Sequence, residues 1–153
     1  MNNKVKTYAI SILIPVIIGA VVGLIISPSM DYDKLVKPFL APPGIVFPIV
    51  WTVLYIIMGI SYGMLKTKDL TDKETDLIYY VQLIVNALWS IIFFTLEWRF
   101  IAAIWVVLLA VLIIIMIIKF VKRDKVAGFL QIPYLLWTLF ATYLSISFYV
   151  LNK

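Results

Sequence analysis

Apolar residues run almost unbroken through five stretches of the chain: Val5 to Pro28, Gly44 to Leu65, Leu77 to Leu96, Phe100 to Lys119 and Val126 to Leu151. Charged residues collect between these stretches and at the ends. A helix rises about 1.5 Å per residue, so roughly 20 mostly apolar residues cross the hydrocarbon of a bilayer. Each stretch has that length, and the pattern predicts an all-α integral membrane protein, a bundle of five transmembrane helices. The first stretch is too long for the apolar core of a signal peptide and reads as a retained helix.

The intervening segments differ in kind. Residues 29–43 form the longest, SMDYDKLVKPFLAPP, whose three prolines and alternating charges rule out a continuous helix and predict an ordered cap. Lys66 to Asp76 is polar, with Thr71 or Asp72 as N-cap of the next helix. Only Glu97, Trp98 and Arg99 separate the third and fourth helices, which must be a tight antiparallel pair. Pro15, Pro48 and Pro133 fall inside spans, where each frees a carbonyl and is expected to bend its helix. Gly19 with Gly23, and Gly59 with Gly63, are small residues four apart that allow close helix packing. No repeat or linker divides the chain, and no helix excludes lipid alone, so residues 1–153 read as one domain.

Composition sharpens the picture. With 64% hydrophobic and 14% charged residues, and a mean hydropathy of +1.08, the chain carries more apolar side chain than a water-soluble globule hides. Its 13 Lys and Arg against 8 Asp and Glu would raise the question of nucleic acid in a soluble protein. In a membrane chain, basic flanks orient helices and meet lipid headgroups, so the bilayer is the expected partner and nucleic acid is not. Nine of the basic residues (Lys4, Lys6, Lys66, Lys68, Lys73, Lys119, Lys122, Arg123 and Lys125) fall on the amino-terminal side, and four (Lys34, Lys37, Arg99 and Lys153) on the other. That asymmetry predicts a multi-pass protein with its amino terminus inside, expected in a prokaryotic cell membrane. Cysteine and histidine are absent, which removes disulfides, thiol chemistry, Cys or His zinc sites and the commonest haem ligands; no metal site is expected.

No ionisable residue lies in the interior of a span, which argues against ion-coupled transport and against carboxylate or imidazole catalysis in the bilayer. The remaining polar and aromatic groups recur at spacings of three or four along one face of three helices. These stripes are Trp51, Tyr55, Gly59 and Tyr62; Gln82, Asn86, Trp89, Ser90 and Phe93; and Tyr134, Trp137, Ala141 and Ser145. Two readings compete. Aromatic residues near helix ends form interfacial belts and amides glue helices together, which suits Tyr8, Tyr79, Tyr80, Trp98 and Tyr149. Trp51, Trp89 and Trp137 lie deeper, and a pocket of flat aromatic walls with a few polar atoms suits a large, planar, mostly apolar ligand.

Four ordered blocks carry a resemblance over essentially the whole chain. They are Leu35-Val-Lys-Pro-Phe-Leu-Ala-Pro-Pro43, Pro48-Ile-Val-Trp51-Thr-Val-Leu-Tyr55-Ile-Ile-Met-Gly59, Gln82-Leu-Ile-Val-Asn86-Ala-Leu-Trp89-Ser90-Ile-Ile-Phe-Phe94, and Pro133-Tyr134-Leu-Leu-Trp137-Thr-Leu-Phe-Ala141-Thr-Tyr-Leu144. With them the chain resembles the tryptophan-rich sensory protein (TspO) and translocator protein family, also called the peripheral benzodiazepine receptor family. The resemblance implies a five-helix bundle with a cavity beneath the first loop that binds porphyrins and, in some members, sterols and benzodiazepine-type drugs. It implies cavity roles for Trp51, Asn86, Trp137 and Ala141, with Tyr32 and Pro42 in the lid; Tyr55, Trp89 and Ser145 join them from the stripes. Two departures stand out: Tyr32 replaces the usual tryptophan, and Ser145 a common asparagine. The resemblance also implies a homodimer, with which the glycine pairs are compatible.

The missing histidine and cysteine turn the expectation toward a metal-free porphyrin such as protoporphyrin IX, since haem iron would have only a methionine, a tyrosine or nothing to hold it. No cofactor is obligatory; porphyrin enters as ligand or substrate. Lys34 or Lys37 could pair with its propionates, against the alternative of solvated loop charges. Leu144 to Lys153, with Tyr149 between, fits a loose pattern proposed for cholesterol contact. Three functions follow: a receptor or carrier of porphyrin or another hydrophobic small molecule; a light- and oxygen-dependent porphyrin-degrading enzyme with Trp51 and Trp137 exchanging electrons with the excited pigment; or a structural scaffold.

Overall fold

The structure, a computed structural model, describes residues 3–27 and 32–153. Among the described residues are five helices long and apolar enough to span a membrane. They are α1 (Asn3–Ile26), α2 (Val46–Thr67), α3 (Lys73–Ser90), which continues as a π-helical segment over Ile91–Thr95, and α4 (Arg99–Arg123), with the last span split into α5 (Lys125–Phe129) and α6 (Ile132–Leu151). Around the bundle, α1 lies against α2 and α3, α4 lies between α3 and α6, and α5 bridges α4 and α2. Apolar residues exposed all along α1 and α4, such as Leu13, Leu24, Ile104 and Val111, form the exterior, as lipid requires of a spanning bundle.

Each helix end has a local cause. Asp72 caps α3: its carboxylate accepts from the Thr75 backbone N–H at 2.8 Å while the Thr75 hydroxyl accepts from the Asp72 N–H, also at 2.8 Å. Those bonds and the Arg123 guanidinium hold its carboxyl below the ordinary carboxylate range. Asp124 caps α5 through the Val126 and Ala127 N–H groups and pairs with Lys68, which lowers its pKa and raises that of Lys68. Lys119 pairs with Glu74 at 3.0 Å and Lys66 with Asp76 at 3.4 Å. The Lys68–Asp124 and Arg123–Asp72 pairs stitch the 67–72 connection to the α4–α5 corner, on the face opposite the 32–45 loop.

Several sequence expectations need correcting. Helix α4 runs on to Arg123 rather than stopping at Lys119, because Lys119 and Arg123 find carboxylates on α3. Helix α3 begins at Lys73, so Tyr79 sits a turn deeper than an interfacial residue: it is buried and stacks on Tyr62 at 4.0 Å and 7°. Pro133 does not bend a continuous helix. The chain breaks at Leu130–Gln131 and restarts, leaving Pro133 in the first turn of α6, where its missing N–H costs no helical bond. Pro48 likewise falls in the first turn of α2. Of these three prolines only Pro15 lies beyond the first turn of its helix, and α1 continues through it. The end of the first span at Pro28 and the loop residues 29–31 lie outside the described residues.

The glycines show how tightly α1 and α2 cross. A Cβ on Gly59 would stand 2.5 Å from the Ser11 carbonyl oxygen and from the Ile12 Cα, and one on Gly63 would meet the Tyr8 ring at 2.7 Å. Ser11 is four residues before Pro15, so its carbonyl lacks the usual helical donor and faces Gly59 instead. The Gly59–Gly63 pair is therefore consumed inside the chain and supplies no argument for a dimer.

Candidate ligand-binding site

Helix α2 turns its aromatic stripe inward, and Trp51 stands at the centre of what it meets. Its ring lies 5.8 Å from Tyr55, 6.2 Å from Tyr134, 6.3 Å from Trp89 and 6.4 Å from Trp137. Phe47 extends the cluster, touching Trp137 at 6.0 Å, Phe94 at 5.9 Å and Tyr32 at 5.2 Å. Rings at these separations, mostly edge to face, gain dispersion and quadrupole attraction beyond simple burial.

The polar stripe of α3 threads this cluster. Tyr55 Oη donates to Asn86 Oδ1 at 2.6 Å, Asn86 Nδ2 to Tyr134 Oη at 2.7 Å, Tyr134 Oη to Gln82 Oε1 at 2.7 Å, and Gln82 Nε2 to the Tyr79 carbonyl at 2.8 Å. The bonds all run in one direction, so each hydroxyl and amide is satisfied and the three helices are fixed against one another. Asn86 is thus engaged on both sides. By contrast, the indole N–H groups of Trp51, Trp89 and Trp137 and the hydroxyls of Thr138 and Ser145 are buried without a partner. A buried donor left unpaired costs about 1–3 kcal/mol.

Beside Trp51 lies a cavity of about 570 Å³, within the size range of small-molecule sites. Its walls are the small-residue face of α1 (Val16, Gly19, Ala20 and Gly23), Phe47, Trp51, Thr52 and Tyr55 of α2, and Ser90 and Phe94. The π-helical turn places Phe94 here and swells the end of α3, a distortion common at functional sites. Gly19 has to be glycine because a Cβ would come within 2.6 Å of the Tyr55 ring, whereas Gly23 meets nothing within 4 Å.

The sequence-derived site residues therefore separate into groups. Trp51 and Tyr55 line the cavity. Trp89, Trp137, Asn86, Ala141 and Ser145 pack behind them without lining it; Trp137 is half-buried and the others are buried. Tyr32 and Pro42 lie above in the loop, joined by a 2.6 Å bond from the Tyr32 hydroxyl to the Pro42 carbonyl. Burial, and secondarily Asp33, push the Tyr32 pKa up to about 12, so it remains a neutral donor. Lys37 is paired with Asp33 at 3.3 Å and lies over the Tyr32 ring at 4.8 Å, which engages it within the loop. Sequence reasoning missed the α1 wall. Its signal was present in Gly19 and Gly23, which read as packing residues.

Comparison with known proteins places this geometry in context. Residues 11–151 match the model of the TspO/MBR family. The chain is 32% identical to the tryptophan-rich protein TspO of Chlorobaculum tepidum, over 99% of both chains. It is 36% identical to the tryptophan-rich sensory protein of Cereibacter sphaeroides, over 87% of this chain and 84% of that one. Its identity to protein CrtK of Rhodobacter capsulatus is 34%, over 85% and 83%.

Proposed function

The chain belongs to the TspO/MBR family, and from that premise we propose that it is a membrane receptor or carrier for flat, apolar ligands of the porphyrin type, with metal-free protoporphyrin IX as the best-fitting candidate. The observation that carries this reading is an apolar cavity of about 570 Å³ walled by the flat rings of Phe47, Trp51, Tyr55 and Phe94. A planar macrocycle would gain ring contact from Trp51 and Tyr55. Its carboxylates would remain at the wet, loop-side end. The absence of histidine and cysteine favours a porphyrin without iron.

A second reading, light- and oxygen-dependent degradation of the porphyrin, is supported by the position of Trp51. It touches the cavity and has Trp89, Tyr134 and Trp137 within 6.4 Å, so an oxidised Trp51 would have redox-active neighbours. The test is a titration of the purified protein with protoporphyrin IX, following tryptophan fluorescence in the dark and porphyrin absorbance under illumination, beside a Trp51→Phe/Trp137→Phe variant. Saturable quenching lost in the variant supports binding, and bleaching confined to the intact protein supports turnover. Equal, non-saturating quenching in both would remove the assignment.

A further inference from the structure

The segment 36–43 is built unlike a water-exposed loop. Pro38, Pro42 and Pro43 have no N–H to satisfy, and five of its carbonyls accept hydrogen bonds: Val36 from Asn152 at 3.0 Å, Pro38 from the Ala41 N–H at 3.1 Å, Phe39 from the Tyr143 hydroxyl at 2.6 Å, Pro42 from Tyr32 at 2.6 Å and Pro43 from the Val46 N–H at 3.0 Å. The Val36 N–H in turn donates to Asn152 Oδ1 at 2.9 Å. Five of the eight carbonyls and two of the five N–H groups of 36–43 are thus paired within the protein, which lowers the cost of bringing this backbone toward the acyl chains. Meanwhile the tip is apolar and bare: Phe39 is 81% and Leu40 66% exposed, and Leu40 holds a φ of 71° that a branched side chain rarely adopts.

The anchors locate that tip. Asn152 follows the end of α6, but Tyr143 lies eight residues before Leu151, about 12 Å back along the helix axis. A tyrosine side chain recovers only part of that height, so the loop descends from Val36 to Phe39 along the side of α6. Leu136, Leu139 and Ile146, also exposed on α6, continue the same apolar surface. From Phe39 the chain crosses to the start of α2 at Val46, so it covers the seam between α6 and α2. Behind it a ladder of rings leads inward: Tyr143 to Phe140 at 6.1 Å, Phe140 to Trp137 at 5.4 Å, and Trp137 to Trp51 at 6.4 Å.

We propose that the Phe39–Leu40 tip is embedded among the acyl chains of the leaflet on the loop side and acts as a sideways gate over the α2–α6 seam, giving membrane-dissolved apolar ligands a route along Tyr143, Phe140 and Trp137 to the tryptophan cluster. The cargo in this statement rests on the binding function proposed above; the tip's insertion and the gate's direction do not. The latch is the Tyr143 bond and the Asn152 clasp, and the lipid is the solvent into which the gate opens.

The chain contains no cysteine, so single nitroxide labels can be placed without background. In liposomes, a label at Phe39→Cys should relax with oxygen in preference to a water-soluble nickel chelate, as a label at lipid-facing Leu136→Cys does and one at Asp33→Cys does not. Behaviour like the Asp33 label would overturn the insertion. With the label moved to Phe140→Cys, the Tyr143→Phe/Asn152→Ala pair should raise oxygen collisions at least two-fold and leave nickel collisions unchanged. Leu40→Gly, which suits the positive φ and removes the apolar tip while keeping the backbone, should do the same if the latch variants fold poorly. A rise in nickel collisions would mean the loop lifts into water, and no change in either would mean that helix packing alone closes the seam; both results sink the gate. These readouts use no ligand, so failed porphyrin titration alongside a positive result here would remove the cargo and leave the gate.

Discussion

The hydrogen-bond thread through the core makes a quantitative prediction. Asn86→Leu keeps the number and branching of the side-chain heavy atoms but leaves the Tyr55 hydroxyl without its acceptor, while Tyr134 still donates to Gln82. Tyr55→Phe removes the donor instead and orphans Asn86 Oδ1. Either change strands one buried polar atom, a cost of about 1–3 kcal/mol in protein interiors. Within membranes interhelical bonds average only about 0.6 kcal/mol with a maximum near 1.7, so about 1–1.5 kcal/mol is the expected loss for each. The double variant strands neither partner of that bond and should lose about 1 kcal/mol less than the sum of the singles. Equilibrium unfolding of the four proteins in one detergent–lipid mixture measures the coupling. Strict additivity, within about 0.3 kcal/mol, would show that the thread contributes no cooperative stability and would refute the argument.

Other consequences are simpler to read. Gly59→Ala should destabilise by about 1–3 kcal/mol through overpacking, since its Cβ would collide with the Ser11 carbonyl and Ile12 Cα; an unchanged midpoint of thermal unfolding would contradict the α1–α2 crossing. The depressed pKa values of Asp72 and Asp124 mean that their stabilisation is present above the ordinary carboxylate range and is lost as pH falls through the lower folded-state values. Unfolding midpoints should therefore drop as pH falls below the ordinary carboxylate range of about 4, and Asp72→Asn with Asp124→Asn should flatten that drop. Tyr32→Phe, which frees the Pro42 carbonyl, should loosen the loop and speed exchange of the 39–42 amides carrying an N–H, while exchange in α4 stays unchanged.

Much of this architecture was legible in the residues because lipid imposes a length rule. Five apolar runs bounded by charge were enough to place five spans, and the polar segment before the third offered Thr71 or Asp72 as its cap, of which Asp72 serves. What escaped was local. Nothing in Ile91–Thr95 distinguishes a π turn from an α turn, since both bury the same phenylalanines. Pro133 could mark a bend or a restart, and the choice fell to the packing of Ser61 against the Ala127 carbonyl at 2.7 Å, which holds α5 on α2 as a separate turn.

The site was legible in direction more than in volume. Periodicity shows which residues point inward, and Trp51, Asn86, Trp89, Ala141 and Ser145 all do so. It does not show which of them leave space. Asn86 is consumed by two tyrosine hydroxyls, Trp89 packs on Phe93 at 5.4 Å, and the empty volume falls on the α1 side, where glycine and alanine replace larger neighbours. Small residues mark both close helix contact and open cavity, and only the partner helix decides. Gly59 met a backbone, whereas Gly23 met nothing.

That difference supplies the most direct test of the central claim, that flat apolar ligands bind in the cavity beside Trp51. Gly23→Leu would place a Cβ where no atom lies within 4 Å and carry the rest of the side chain into the cavity that Gly23 lines, so the fold should survive with its unfolding midpoint unchanged. Protoporphyrin IX affinity, measured by tryptophan quenching in nanodiscs, should fall at least ten-fold relative to the parent protein and to a lipid-facing control, Ile104→Leu. Undiminished, saturable binding by the filled variant would place the ligand elsewhere and contradict the account.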